Sequence, residues 1–268
     1  MRDLRRVRAG LAILALAALA SAGCDIKVEG NGFSIGPVSG RASDEWQRTY
    51  TLAPGASVEV VNVNGRIRVT RGTGSQVEIR AERIAKAATD EAAKELLAQL
   101  RLEETVGDRG VKVETKAPRW RGRGGVEVRY DVTVPDGMTV TVRTTNGGID
   151  LDRVVGNVTA ATVNGGVDGS GLAGQVDAST TNGGIDLEVT AVRDGVRAKT
   201  VNGGVSVVIP KDTRAEVVAS VVNGGISLDN LALDEAVRNR RRLEGRLNGG
   251  GPRIELDAVN GGIRLAGQ

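Results

Sequence analysis

In the C-terminal half of the chain, apolar and polar residues alternate in short runs that all end at the same punctuation. Val140, Val142 and Thr144 occupy alternate positions before Asn146-Gly147-Gly148, and Ile149 and Leu151 alternate after it. A period of two is the mark of a strand with one buried face. Asn-Gly-Gly recurs at Asn146, Asn164, Asn182, Asn202, Asn223 and Asn260, with spacings of 18, 18, 20, 21 and 37 residues. A near-constant period of this length predicts stacked repeats, each a small unit that buries its core only against its neighbours. The expected fold is therefore all-β: a parallel β-solenoid of 18–21-residue rungs, with an N-terminal β region carrying one inserted helix.

Parity sharpens the prediction. Val158, Ala160, Thr162 and Asn164 repeat the first set, and Val176, Ala178, Thr180 and Asn182 repeat it again, while charged residues such as Arg143, Asp177, Arg197 and Lys199 fall between. Strand side chains alternate between faces, so this parity puts the apolar set, and each Asn with it, on the inside. A buried amide needs partners, and stacking equivalent Asn side chains from rung to rung supplies them. The glycines then make a corner. The competing reading takes each Asn-Gly as a type I′ hairpin turn in an antiparallel sandwich or barrel. Parallel stacking is preferred because it also explains why Ala, Thr and Asn recur at matched depth.

The N-terminal half carries weaker copies of the pattern. Val58, Val60, Asn62 and Asn64-Gly65-Arg66-Ile67 form a degenerate copy that lacks the second glycine. Strands are expected at Trp46–Leu52, Gln76–Ala81, Leu102–Val106, Val111–Thr115 and Val126–Val134. Between them Ala93, Leu96, Leu97 and Leu100 switch to the helical spacing, which predicts one amphipathic helix near 89–101 capped by Thr89 or Asp90. Two stretches are basic: Arg119, Trp120, Arg121 and Arg123, and an excursion over 230–252 that holds Arg238, Arg240, Arg241 and Arg242. Both are candidate contacts for anions or lipid headgroups, with a solvated surface as the plainer reading.

The first residues change how charge is read. Arg2, Arg5, Arg6 and Arg8 precede an apolar run from Leu11 to Ala20, too short to span a bilayer, and Ser21-Ala22-Gly23-Cys24 follows. This predicts a signal peptide over 1–23. The end of the run resembles the bacterial lipobox, which implies lipid attachment at Cys24, the chain's only cysteine. Without residues 1–23 the chain has 32 basic and 32 acidic residues, so the basic pI belongs to the signal and gives no argument for nucleic acid. A Gly- and Ser-rich tether is expected over 24–45, then one domain over 46–268.

With no His and one Cys, imidazole bases, thiol catalysis and the usual transition-metal sites have no residues to build them. Asp150, Asp168 and Asp186 recur four residues after their Asn, but later copies carry Ser206, Ser227 and Arg264 there. One outward carboxylate per rung falls short of a calcium shell. No metal, cofactor or catalytic residue is therefore expected.

The repeated Thr-x-Asn-Gly-Gly-Ile-x-Leu, the helix near 89–101, Val134-Pro135-Asp136-Gly137 and the closing Gly249-Gly250-Gly251-Pro252 resemble, in their order, the bacterial "putative adhesin" β-solenoid family, a domain of unknown function. That resemblance implies a non-catalytic binding or adhesin-like module, or an envelope-stress accessory, anchored in the bacterial cell envelope and facing the periplasm or the cell surface. A polysaccharide-modifying β-helix enzyme and a purely structural envelope spacer are the alternatives. Expected partners are the membrane, through lipid on Cys24, and an envelope protein or glycan. The last strand, ending at Gln268 without a cap, adds self-association through an exposed edge.

Overall fold

The computed structural model describes residues 24–29 and 32–268, with side chains from residue 38 onward; the expected signal peptide and the Cys24 side chain, the expected site of lipid attachment, lie outside the described residues. In chain order the strands are β1 (Cys24–Glu29), β2 (Gly32–Pro37), β3 (Gly40–Thr51), β4 (Ser57–Val61), β5 (Ile67–Arg71) and β6 (Gln76–Ala87). The helix α1 (Asp90–Gln99) is followed by β7 (Arg101–Gly107), β8 (Gly110–Lys116), β9 (Gly124–Val134), β10 (Met138–Asn146), β11 (Ile149–Asp152) and β12 (Gly156–Asn164). Then come β13 (Val167–Asn182), β14 (Ile185–Asn202), β15 (Val205–Ile209), β16 (Ala215–Asn223), β17 (Ile226–Asp229), β18 (Asp234–Arg238), β19 (Arg242–Leu247), β20 (Arg253–Asn260) and β21 (Ile263–Gly267). The protein is all-β apart from α1.

Two compact units are distinguished: the described residues up to Ser43 with Ile84–Gln99 and Pro118–Val126, and Asp44–Arg83 with Leu100–Ala117 and Glu127–Gln268. In the smaller unit β1 and β2 pair antiparallel, with Ile26 opposite Ile35 and Val28 opposite Phe33. The segment expected as a tether thus contains strands. Its Gly and Ser content masks a short apolar alternation that is enough for a hairpin. Helix α1 starts where the period predicts, with the Thr89 hydroxyl accepting from the Ala92 amide at 3.2 Å. It buries Ala93, Leu96 and Leu97.

The larger unit is the solenoid. Each rung has a first face, the strand ending in Asn, and a second face, the strand after the corner. Parallel pairing runs β8–β4–β10–β12–β13–β14–β20–β16 on the first face. On the second face it runs β9–β5–β11–β13–β14–β15–β21–β17. Inward rows such as Val58, Val140, Val158, Val176, Val196, Ile254 and Val217 are almost inaccessible to water. Burial at this level contributes about 1.5–3 kcal/mol for each large aliphatic side chain, which is why a rung without neighbours would not hold. Where Gly169 leaves the inward row short of a side chain, buried Leu172 fills the space.

Two expectations need correction. The sheet is mixed, because antiparallel strands close the first face at both ends: β7 on β8, and β19 on β16. The 230–252 excursion is thus a hairpin, β18 with β19, that buries Leu243 and Leu247 and covers the strand edge that would otherwise lie open.

Nor do the rungs stack in sequence order. The last one, β20 and β21, inserts between the rungs ending at Asn202 and Asn223, so the C-terminal strand is paired on both sides. Among the described residues the second-face strand with a single partner is β17. Charge explains the insertion. On β14 the outward residues Arg197 and Lys199 meet Glu255 of β20 at 2.9 and 3.0 Å, and Lys199 meets Asp257 at 3.0 Å. Had β16 stacked directly on β14, those cations would have faced Val218 and Ser220. Each exposed pair contributes little, but a network on one strand adds up and discriminates between neighbours.

Candidate functional site

The corner is where the repeat concentrates its chemistry. Asn146 donates from its Nδ2 to Asn64 Oδ1 at 2.7 Å, and the bond repeats from Asn164 to Asn146, Asn182 to Asn164 and Asn202 to Asn182, each at 2.8 Å. It continues from Asn260 to Asn202 at 2.9 Å and from Asn223 to Asn260 at 2.8 Å. Six bonds in one direction join seven side chains across the inserted rung. The ladder lies on the surface, however: every one of these asparagines, Asn64 aside, is exposed, contrary to the inward placement expected from parity. The cause is local. Thr144 is buried but Thr145 and Asn146 both face out, and pairing passes from Thr144↔Thr162 to Asn146↔Asn164. The chain begins its corner before the glycines, so alternation stops at Thr.

Inside the corner runs a second ladder. The hydroxyls of Thr162, Thr180 and Thr200 donate to the carbonyls of Gly147, Gly165 and Gly183 at 2.8, 2.8 and 2.9 Å. Asn62 holds the same position in the degenerate rung, and its amide reaches Val128 O at 2.7 Å. The first glycine of each pair sits under the neighbouring rung. A Cβ on Gly165 would lie 2.1 Å from Gly147 O, and one on Gly183 2.0 Å from Gly165 O. The second glycine is freer, since a Cβ on Gly184 would meet nothing closer than 3.7 Å, and in the degenerate rung Arg66 stands there. The corner at the glycines is as the sequence predicts; the Thr hydroxyl ladder and the close approach at the first glycine go beyond that reading, although the matched depth of Thr144, Thr162, Thr180 and Thr200 is visible in the sequence.

Outward rows flank the corner. On the second face Arg68, Asp150, Asp168 and Asp186 are register neighbours, followed by Ser206, Arg264 and Ser227. Partial burial, and then the charges of Asp150 and Asp186 on either side, raise the pKa of Asp168. Arg66 and Arg68 approach Asp150 at 3.5 and 3.7 Å, which offsets the stack at one end. Among the described residues no group of three or more Cys, Asp or Glu is arranged to hold a metal ion. In the core, burial pushes the Tyr130 phenol up to about 12, with a 2.8 Å hydrogen bond to Thr115 acting the other way. It is structural.

The expected anion-contact residues are distributed between the two units. Arg119, Trp120, Arg121 and Arg123 fall in the smaller one, where the Trp120 indole donates to Arg123 O at 3.3 Å. In the larger unit Arg238, Arg240, Arg241 and Arg242 are exposed on the β18–β19 hairpin. There Asn239 Oδ1 accepts from the amides of Arg241 and Arg242 at 2.8 Å each, fixing the turn, and Arg242 pairs with Glu244. Among the described residues no helix is long and apolar enough to cross a membrane.

Corner, ladders and closed ends define a repeat-built β-solenoid whose signature motif holds rungs together. More narrowly, the chain belongs to the Toastrack DUF4097 family, whose model matches residues 57–266. No curated protein matches it. Among solved structures it resembles a "putative cell adhesion protein" from Clostridium sporogenes, at 12% identity and a TM-score of 0.43, over 84% of this chain and 100% of that one. It also resembles a "putative adhesin" from Bacteroides fragilis, at 12% identity and a TM-score of 0.30, over 84% and 97%. A third is a "putative lipid binding protein" from Parabacteroides distasonis, at 11% identity and a TM-score of 0.31, over 86% and 98%.

Proposed function

We propose that the protein is a non-catalytic binding module of the bacterial cell envelope, carried on a lipid at Cys24. The observation that carries this reading is the division of labour in the repeat. Its polar residues are spent on rung-to-rung bonds, and its outward carboxylates are tied into ion pairs or stacked on one another, with no nucleophile and base set against each other among the described residues. What the solenoid then offers a partner is an extended surface of regular spacing, as other repeat proteins do. The lipobox-like Ala22-Gly23-Cys24 supports anchoring. Mass spectrometry of the mature N-terminus, with fractionation and in-cell crosslinking, tests the proposal. An acylated Cys24 and a crosslinked envelope partner are expected; an unprocessed N-terminus, or turnover of acidic polysaccharide by the pure protein, would overturn it.

A further inference from the structure

Along the corner, next to the Asn ladder, runs a row of β-branched residues: Val63, Thr145, Val163, Thr181, Val201, Val259 and Val222. Four of them, Val163, Val201, Val222 and Val259, are 38–51% exposed and account for most of the large apolar side chains the described surface shows. Beside this ridge the glycine pairs leave a groove of about 530 Å³ floored by Gly184, Gly204, Gly262 and Gly225. Ridge, ladder and glycine pairs form a band over seven rungs in which the one charged residue is Arg66, in a chain that is 26% charged; the groove itself spans the last four rungs and is bordered by Asp186 and Arg264. At ~4.8 Å per rung the band is ~29 Å long.

We propose that a second copy of this chain docks on the band, about a two-fold axis parallel to the stack. That axis lays the ridge of each copy in the groove of the other, rung for rung. It also sets the outward row three residues before each Asn against the row four residues after the Asn of the same rung in the partner. Arg143 then faces Asp150, and Asp257 faces Arg264. The remaining rungs set Val61 against Arg68, Ala161 against Asp168, Ser179 against Asp186, Lys199 against Ser206 and Ser220 against Ser227. Two rungs bring opposite charges together and none brings like charges together; these side chains also hold partners within their own chain, Arg143 with Glu59 and Arg264 with Asp229, so the complementarity sets register more than it adds affinity. A copy turned end for end would match ridge to ridge and lose the groove. The parallel arrangement keeps equivalent ends together, as two chains anchored in one membrane require; in that respect it rests on the anchoring proposed above. A band ~29 Å by ~10 Å buries on the order of 600 Å² in all, below the ~1,200 Å² of stable complexes, so association is weak in solution, with a Kd of about 10 µM to 1 mM.

Sedimentation equilibrium of the full chain carrying Cys24→Ser, up to about 1 mM, tests this on purified protein. Localisation of the native chain is read separately, so either idea can fail alone. Wild type is expected to dimerise within that range, and the Val163→Lys/Val201→Lys variant to stay monomeric with an unchanged melting temperature. Arg143→Glu is expected to weaken the dimer about tenfold, and adding Asp150→Arg to restore it. A wild type that stays monomeric at the highest concentration overturns the proposal. So does a double-lysine variant that dimerises like wild type, or a charge swap that fails to rescue.

Discussion

The two glycines of one corner make opposite predictions. A Cβ at Gly183 would lie 2.0 Å from Gly165 O, whereas one at Gly184 would lie 3.7 Å from Gly204 O. Relief at Gly183 means moving one rung from the next by about an ångström, because the atom in the way is backbone. Both rungs are tied there, by Gly183 N to Asn202 O at 2.9 Å and Gly165 N to Asn182 O at 3.0 Å. Overpacking costs about 1–3 kcal/mol and a weakened hydrogen bond about 0.5–1.5, so Gly183→Ala should destabilise by about 2–4 kcal/mol. In a domain of this size that lowers Tm by roughly 5–15 °C. Gly184→Ala adds only ordinary contacts and limits the unfolded chain, so its effect should stay within about 1 kcal/mol. Thermal unfolding followed by circular dichroism reads both. Equal shifts for the two variants would refute the claim that the first glycine alone is enforced by stacking.

Three other outcomes follow from the same geometry. Asn182 both donates and accepts in the ladder while Asn223 only donates, so Asn182→Ala should cost about 1–2 kcal/mol and Asn223→Ala about half as much in denaturant titrations. The Tyr130 phenol titrates at about 12 in the fold against 10.0 unfolded, so its stabilising share is whole below pH 10 and falls as the unfolded state loses its proton first. Stability should drop by about 2–3 kcal/mol between pH 10 and 12, and Tyr130→Phe should flatten that slope in alkaline melting curves. The raised pKa of Asp168 means that its charged form is disfavoured in the fold. Asp168→Asn should therefore raise Tm at pH 7, with the gain fading in acid as the wild-type carboxyl takes up its proton; a lowered Tm at pH 7 would contradict the stacked-charge explanation.

Much of the fold was legible because its cause is local and periodic. Alternation around Val140 and Val142 marks a strand wherever it occurs, and the switch at Ala93, Leu96 and Leu97 marks the helix. Asn146 shows where such reasoning stops. Parity holds only while the chain stays extended, and the bend begins at Thr145 without a Gly or Pro to announce it. The rung order was hidden for another reason: the choice between β16 and β20 as neighbour of β14 depends on Arg197 and Lys199 meeting residues some 58 positions away. The β18–β19 hairpin was obscured by its arginines, although Leu243 and Leu247 supply the buried residues that hold it. At the candidate site, the Asn positions were visible from the first copy. Their use as part of an uncharged outer band was not, since it needed the corner geometry.

The most direct test of the stack is its order. Lys199 and Asp257 are register partners on adjacent strands, as are Ser220 and Asp257, while Lys199 and Ser220 are separated by the inserted rung. Adjacent parallel strands lie ~4.8 Å apart, within disulfide reach, and alternate strands ~9.6 Å apart, outside it. In a chain with Cys24→Ser, Lys199→Cys/Asp257→Cys should therefore oxidise to an internal disulfide, and Lys199→Cys/Ser220→Cys should remain two free thiols. The reverse outcome, a bridge only in the Lys199 and Ser220 pair, would mean that the rungs stack in sequence order and that the continuous seven-residue ladder is wrong.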